Sequence, residues 1–271
     1  MTALTYSSAP PSKDGDSGHW YTRDGSPCYM VPARNGAMRN TTLADARKLL
    51  LVPSVTTVTG IIAKPQLTAW MVRQGILAAL TLPRIDGEPE PAFLDRVEAD
   101  SRQQAKDAAN EGTNVHDALE LRFTGQAYPT QYARHVAGVE AELHRMFPDV
   151  HDWIAERSFA HPSGYGGKTD LHSPSTGIVV DFKGKDGDFS DGKKLAYDEL
   201  TFQLGAYQDG LRLPRAACGN IFFSRTHPGK AVGHVWKPDQ VAKGAAVFHA
   251  ALGLWKALKG FDPAFEVCDA I

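Results

Sequence analysis

Asp170, Asp181 and Lys183 stand near the facing ends of two strand-like runs in GYGGKTDLHSPSTGIVVDFKGKD, residues 164–186. Strands favour β-branched and aromatic residues, so two carboxylates and an ammonium there ask for a reason. The break SPSTG is rich in turn formers and centres the turn near Ser175 and Thr176. Residues whose numbers sum to about 351 then face each other, and Asp170 falls opposite Asp181. Side chains directly across an antiparallel pair lie roughly 4.5–5.5 Å apart at Cβ, and like charges placed so repel. Lys183 lies two residues on and shares their face, while Val180 and Phe182 point to the other. A divalent cation offsets the repulsion, because hard carboxylate oxygens suit Mg2+ or Mn2+. A lysine beside such an ion can position or deprotonate a water and stabilise charge growing on a phosphate. An exposed strand pair with ordinary surface ion pairs has the same pattern, so the hairpin alone leaves both readings open.

Two helical segments add polar groups. EGTNVHDALE sets His116 and Glu120 four apart, on one helical face. DELTFQLGAYQDG sets Glu199, Gln203 and Tyr207 along one stripe. Taken singly, these are an ordinary helix histidine and an ordinary polar edge. PSGYGGKT imitates a phosphate-cradling loop, but the G-x-x-x-x-G-K-[ST] pattern needs glycine where Pro162 stands. Such a loop should also open a helix, whereas DLHSPSTG reads as strand and turn. An NTPase is therefore disfavoured.

Taken in chain order, the motifs resemble the RecB-like, phage-type exonuclease branch of the PD-(D/E)XK nucleases. They are Gly112, Thr113 and His116 on a helix, Glu156 opening a first strand, and Gly167 and Asp170 on a second. Asp181 and Lys183 follow on a third strand, then Gln203 and Tyr207 on the next helix, with PSVTTV at Pro53 as a further likeness. The resemblance implies a restriction-endonuclease-like core and a metal-dependent deoxyribonuclease, an exonuclease of phage-type recombination or repair. It implies Asp170, Asp181, His116 and the backbone carbonyl of Phe182 as ligands of Mg2+ or Mn2+. Lys183 would orient or activate the water, Gln203 would support the lysine and the phosphate, and Tyr207 would line the DNA path. Glu120 and Glu156 would stand behind the ligands or hold a second ion. Lys168, Lys185, Lys193, Lys194, Arg212, Arg215 and Arg225 are the basic residues placed to track a DNA backbone, and Tyr165 or Tyr207 would stack on a base. The substrate implied is the end of a linear duplex or a single strand, and a single-strand-annealing or recombinase protein would be a compatible partner. Some relatives hold an iron–sulfur cluster through four cysteines; this chain has 3 cysteines, so no cluster is expected. A DNA-binding or scaffold protein on the same fold, without useful catalysis, is the alternative that the intact Asp, Asp, Lys and His set argues against.

The elements that must position these groups are legible from periodicity. The 271 residues are 42% hydrophobic and 22% charged, an ordinary globular composition that can bury a sizeable core. A formal net charge of −2 argues against whole-surface nucleic-acid binding but leaves room for a local basic groove. No apolar run approaches the ~20 residues of a membrane span, and the N-terminus lacks the order of a secretory signal, so a cytoplasmic location and no membrane partner are expected. Cys28, Cys218 and Cys268 are far apart and read as free thiols.

Residues 1–18 read as a disordered tail, 19–150 as a hairpin and helical region carrying the His116 helix, and 151–271 as an α/β core that forms one catalytic unit with 53–150. HWYTRDGSPCYMVP predicts a β-hairpin turning at Asp24-Gly25, and the pattern turns helical from Thr42, with Ser54 as a cap. A long helix runs from Pro91 to Phe123, with a bend expected near Gly112, and Tyr132, Val136, Val139, Leu143 and Met146 form one core stripe. Three strands, a helix, one or two strands and a helix follow, which is a mixed sheet flanked by helices. The closing helix should span Pro238 to Lys259, bury Val241, Phe248, Leu252 and Trp255, and stop at Gly260. KGKDGDFSDGKK reads as a mobile loop over DNA, or as a plain solvated one.

Overall fold

The computed structural model describes residues 18–266, so the tail expected at residues 1–18 lies, apart from Gly18, outside the described residues, as does Cys268. Three short strands come first: β1 (Trp20–Tyr21), β2 (Met30–Pro32) and β3 (Met38–Asn40). They keep the expected hairpin at its turn and give its two arms further partners. Its turn forms, with the Gly25 N–H donating to the Thr22 carbonyl at 2.9 Å. Yet β2 pairs with β3, and β1 pairs with the later β4 (Val52–Pro53). Pro27 has no N–H for a ladder, and the pairing across the turn is short: a Tyr21–Pro27 bridge, the Thr22 N–H bond to the Ser26 carbonyl and the Cys28 N–H bond to the Trp20 carbonyl. The helical pattern from Thr42 gives only α1 (Leu43–Leu49) before β4, and then α2 (Val55–Thr59), capped by Ser54 as expected. The helices α3 (Pro65–Thr81) and α4 (Glu90–Phe123) follow, α4 running through Gly112 as one helix. On α5 (Ala133–Met146) the residues Val136, Val139 and Leu143 are buried, as the stripe predicts. Leu67, Met71, Val72, Ile76 and Leu80 of α3 remain exposed.

The rest of the chain is β5 (Ile154–His161), β6 (Tyr165–His172), β7 (Val179–Lys185), α6 (Glu199–Gly210), β8 (Cys218–Ser224), β9 (Ala231–Trp236) and α7 (Pro238–Lys259). The sheet order is β5-β6-β7-β8-β9, with β7 and β8 parallel and the other neighbours antiparallel. Parallel neighbours need a crossover, and α6 supplies it. This is the mixed α/β sheet flanked by helices that the sequence predicts. Alternation along the strands makes two cores. Leu171, Val180, Phe182, Ile221 and Phe223 meet Val115 and Leu119 of α4 and Val136 and Val139 of α5. Val179, Cys218 and Phe222 meet Leu204 of α6 and Val241, Phe248 and Trp255 of α7, and Trp20, Val31, Leu51 and Val55 join that core from the N-terminal region. Burying one such side chain contributes about 1.5–3 kcal/mol. Cys28 and Cys218 are buried free thiols. Among the described residues no helix is long and apolar enough to cross a membrane.

The helices α6 and α7 approach closely because Gly205 has no side chain. A Cβ there would lie 2.6 Å from the Ala245 nitrogen and 2.7 Å from the Val241 carbonyl oxygen. Backbone atoms cannot yield cheaply, so Gly205→Ala should destabilise the fold by roughly 1–3 kcal/mol, seen as a lower urea midpoint with an unchanged slope.

Candidate active site

The β6–β7 turn sets the register of the site. Leu171 faces Val180 and His172 faces Val179, the register counted from SPSTG. Asp152, ahead of β5, closes this turn by accepting the Ser173 hydroxyl at 2.5 Å and the Ser175 N–H at 2.9 Å. The Ser173 hydroxyl, and then the Ser175 N–H, hold the Asp152 carboxyl down at about 2. A depressed carboxyl stabilises the fold fully above its unfolded range near 3.8 and loses that contribution as pH falls through about 2. Thermal unfolding of wild type and Asp152→Asn should therefore differ most above about pH 4 and converge toward pH 2.

The ladder stops one pair short of the carboxylates. Asp170 and Asp181 are the next positions in that register, and the Phe182 N–H donates at 2.7 Å to the Asp170 side chain. Asp181 is only 3% exposed, and the partly exposed Lys183 ammonium lies 2.9 Å from its carboxylate. The same ammonium donates to Gln203 Oε1 at 3.1 Å, and Gln203 Nε2 donates to the Tyr207 hydroxyl at 2.8 Å. The i, i+4 spacing on α6 thus delivers a relay from Tyr207 to Lys183. On α4, His116 Nδ1 stands 3.8 Å from Asp170 Oδ2, and its ring faces the Phe182 backbone carbonyl.

The electrostatics of the group are acidic. Burial pushes Asp170 and Asp181 above the ordinary carboxylate range, with Lys183 pulling each back. Burial works against the Lys183 charge, but Asp181 and Asp170 outweigh it and hold the ammonium protonated. Burial, and then Lys183, push His116 down to about 4, which leaves a neutral imidazole near neutral pH. Two carboxylates therefore share one ammonium. Among the described residues no three His, Cys, Asp or Glu side chains stand preassembled around an ion. The donors nonetheless fit a divalent cation in their chemistry: hard oxygens, a neutral imidazole and a deficit of positive charge among partly buried side chains.

Glu120 and Glu156 gather around Lys168 on the other side of Asp170. Lys168 pairs with Glu156, and its Nζ is 3.8 Å from Glu120 Oε2. Glu156 falls opposite Asp170, where the β5–β6 ladder skips from Ala155↔Leu171 to Arg157↔Thr169, and it takes φ 56°, a left-handed conformation costly for a side chain. Burial, and then Asp170, push its carboxyl up to about 7 against the pull of Lys168. GGKT lies within β6, and a Cβ on Gly167 would meet Tyr207 Cε1 at 2.8 Å. That glycine admits a ring rather than a phosphate.

Two expectations are corrected by burial. Tyr165 is 0% exposed and Tyr207 5% exposed, both held edge-on to Phe159, so neither has a free face for a base. Tyr165 instead donates to the Ala206 carbonyl at 3.2 Å, and Tyr207 supports Gln203. Lys185 sits at the exposed end of β7, while Arg225 is tied to Asp186 and the Ala108 carbonyl. Lys193 pairs with Asp191 in the segment between β7 and α6. Arg215 pairs with Asp209, away from the carboxylates.

Comparisons with known proteins stand beside this geometry. No protein-family model matches the chain, and no curated protein matches it. Among solved structures, a phage-related exonuclease from Haemophilus somnus 129PT is similar with TM-score 0.30 and 10% identity, over 54% of this chain and 82% of that one. An alkaline exonuclease from Laribacter hongkongensis is similar with TM-score 0.28 and 14% identity, over 71% of this chain and 98% of that one. Likeness at this level transfers no residue role.

Sequence reasoning missed Asn220. It is 0% exposed on β8, pairs in register with Asp181, and donates to Asp181 Oδ2 at 2.8 Å. Its signal was faint: one amide inside the otherwise apolar run CGNIFF, where an unpaired polar group would be costly.

Proposed function

We propose that the protein is a Mg2+- or Mn2+-dependent DNA nuclease, an exonuclease of the phage recombination or repair type. The observation that carries the reading is the convergence of Asp170, Asp181, Lys183 and His116, with more carboxylate than cation, on adjacent strands and one helix. Asp170, Asp181, His116 and the Phe182 carbonyl would hold the ion. When bound, it would supply charge to draw in a phosphate and favour ionisation of a water. Lys183, held as an ammonium, orients the water by donating to its oxygen and faces the charge that develops on phosphorus, while Gln203, braced by Tyr207, keeps the ammonium aimed. Lys168 and Lys185, on the strands that carry Asp170 and Asp181, would contact the DNA backbone.

Labelled linear duplex and closed circular DNA, compared in Mg2+ and in Mn2+, test the reading. Loss of the linear form alone fits an exonuclease, and nicking of the circle would assign endonuclease chemistry. DNA affinity should fall as salt rises, because phosphate contacts release counterions. A flat salt series would remove Lys168 and Lys185 from the proposed DNA path.

A further inference from the structure

Asp181 is held from behind by an amide whose orientation is dictated from the next strand. Asn220 is completely buried between Asp181 on β7 and Trp236 at the end of β9. Its Nδ2 donates to Asp181 Oδ2 at 2.8 Å, and its Oδ1 accepts the Trp236 indole N–H at 2.8 Å. An indole only donates, so it admits the amide oxygen and rejects the amide nitrogen. The two ends of an asparagine amide are close to isosteric, and nothing about shape would stop Asn220 from turning over. Turned over, it would set an oxygen against the Asp181 carboxylate in a buried site and leave the indole N–H facing an NH2 group. Each reversed contact would cost an unmade buried hydrogen bond.

We propose that Trp236 and Asn220 form a positioning pair, in which the indole fixes the polarity of the amide so that Asp181 always receives a donor on Oδ2. This rests on the reading of Asp181 as a ligand of the divalent cation. The donor holds the carboxylate in one rotamer, and Asp181 is presented to the ion without having to reorganise. Outer partners of a ligand act in this way, typically changing metal affinity about 10–100-fold. Neither residue belongs to the motif series that runs from Gly112 to Tyr207.

The test is a double-mutant cycle read by Mn2+ affinity, titrated by electron paramagnetic resonance on the full chain without DNA. Asn220→Ala should weaken Mn2+ binding about 10-fold. Trp236→Phe keeps the ring and removes the N–H, frees the amide to turn, and should weaken binding in the same direction. The double variant should be no weaker than Asn220→Ala alone, because the indole acts only through the amide. Unchanged affinity in Trp236→Phe, or losses that multiply in the double variant, would overturn the proposal. Should Trp236→Phe not unfold cooperatively in urea, Asn220→Ser and Asn220→Ala decide it. The serine hydroxyl can still donate and should retain more affinity than alanine, and an equal loss would sink the idea. Wild-type protein that binds no Mn2+, or whose binding is untouched by Asp181→Ala, would instead defeat the reading of the site itself.

Discussion

Replacing Asp181 by alanine is expected to lower divalent-cation-dependent DNA hydrolysis by about 10^3-fold or more and to abolish tight Mn2+ binding, with the fold intact. The size follows from what the carboxylate does. It is the buried member of the pair, and it anchors Lys183 at 2.9 Å. Its loss removes a ligand and the anchor of the ammonium together. Deleting it leaves Lys183 partly exposed and still hydrogen-bonded to Gln203, so the cation left behind has water and an amide for partners. Destabilisation should therefore stay well below the roughly 3–5 kcal/mol typical of orphaning a fully buried charge. Hydrolysis rates and Mn2+ titrations on the same preparation, with urea unfolding as the control, check all three statements.

Lys183→Met should separate chemistry from ion binding. The ammonium is the group aimed at the water and at the developing phosphate charge, and general acid–base work of this kind contributes about 10^2–10^4-fold. Mn2+ affinity should hold or rise, because Asp170 and Asp181 lose the cation that now offsets them. A variant that lost affinity in step with rate would mean that Lys183 only supports the carboxylates. Single-turnover hydrolysis at saturating Mn2+ reads the difference.

Local chemistry made much of this site legible. SPSTG fixed a turn, and the turn fixed the register of Leu171 with Val180 and His172 with Val179, whose next positions are Asp170 and Asp181. The closing helix was readable from Pro238 to its stop at Gly260 for the same local reasons. Long-range pairing was not. Besides the short pairing across their own turn, Trp20 and Tyr21 take a second partner at Val52–Pro53, and the pattern around Asp24-Gly25 holds no trace of it. The spacing of Gln203 and Tyr207 put both on one stripe, but depth along that stripe depends on Phe159 from β5, so a buried ring looked like a groove ring. Asn220 escaped because its partners lie on other strands, 39 residues back at Asp181 and 16 on at Trp236. A polar residue in an apolar strand says only that some partner exists.

End-labelled linear duplex, incubated with the protein in EDTA, then in excess Mg2+, then in EDTA again, tests the central claim most directly. Label should be released only in the Mg2+ interval, and Asp181→Ala should release none. DNA that survives the Mg2+ interval intact, with wild-type protein folded and binding Mn2+, would contradict it.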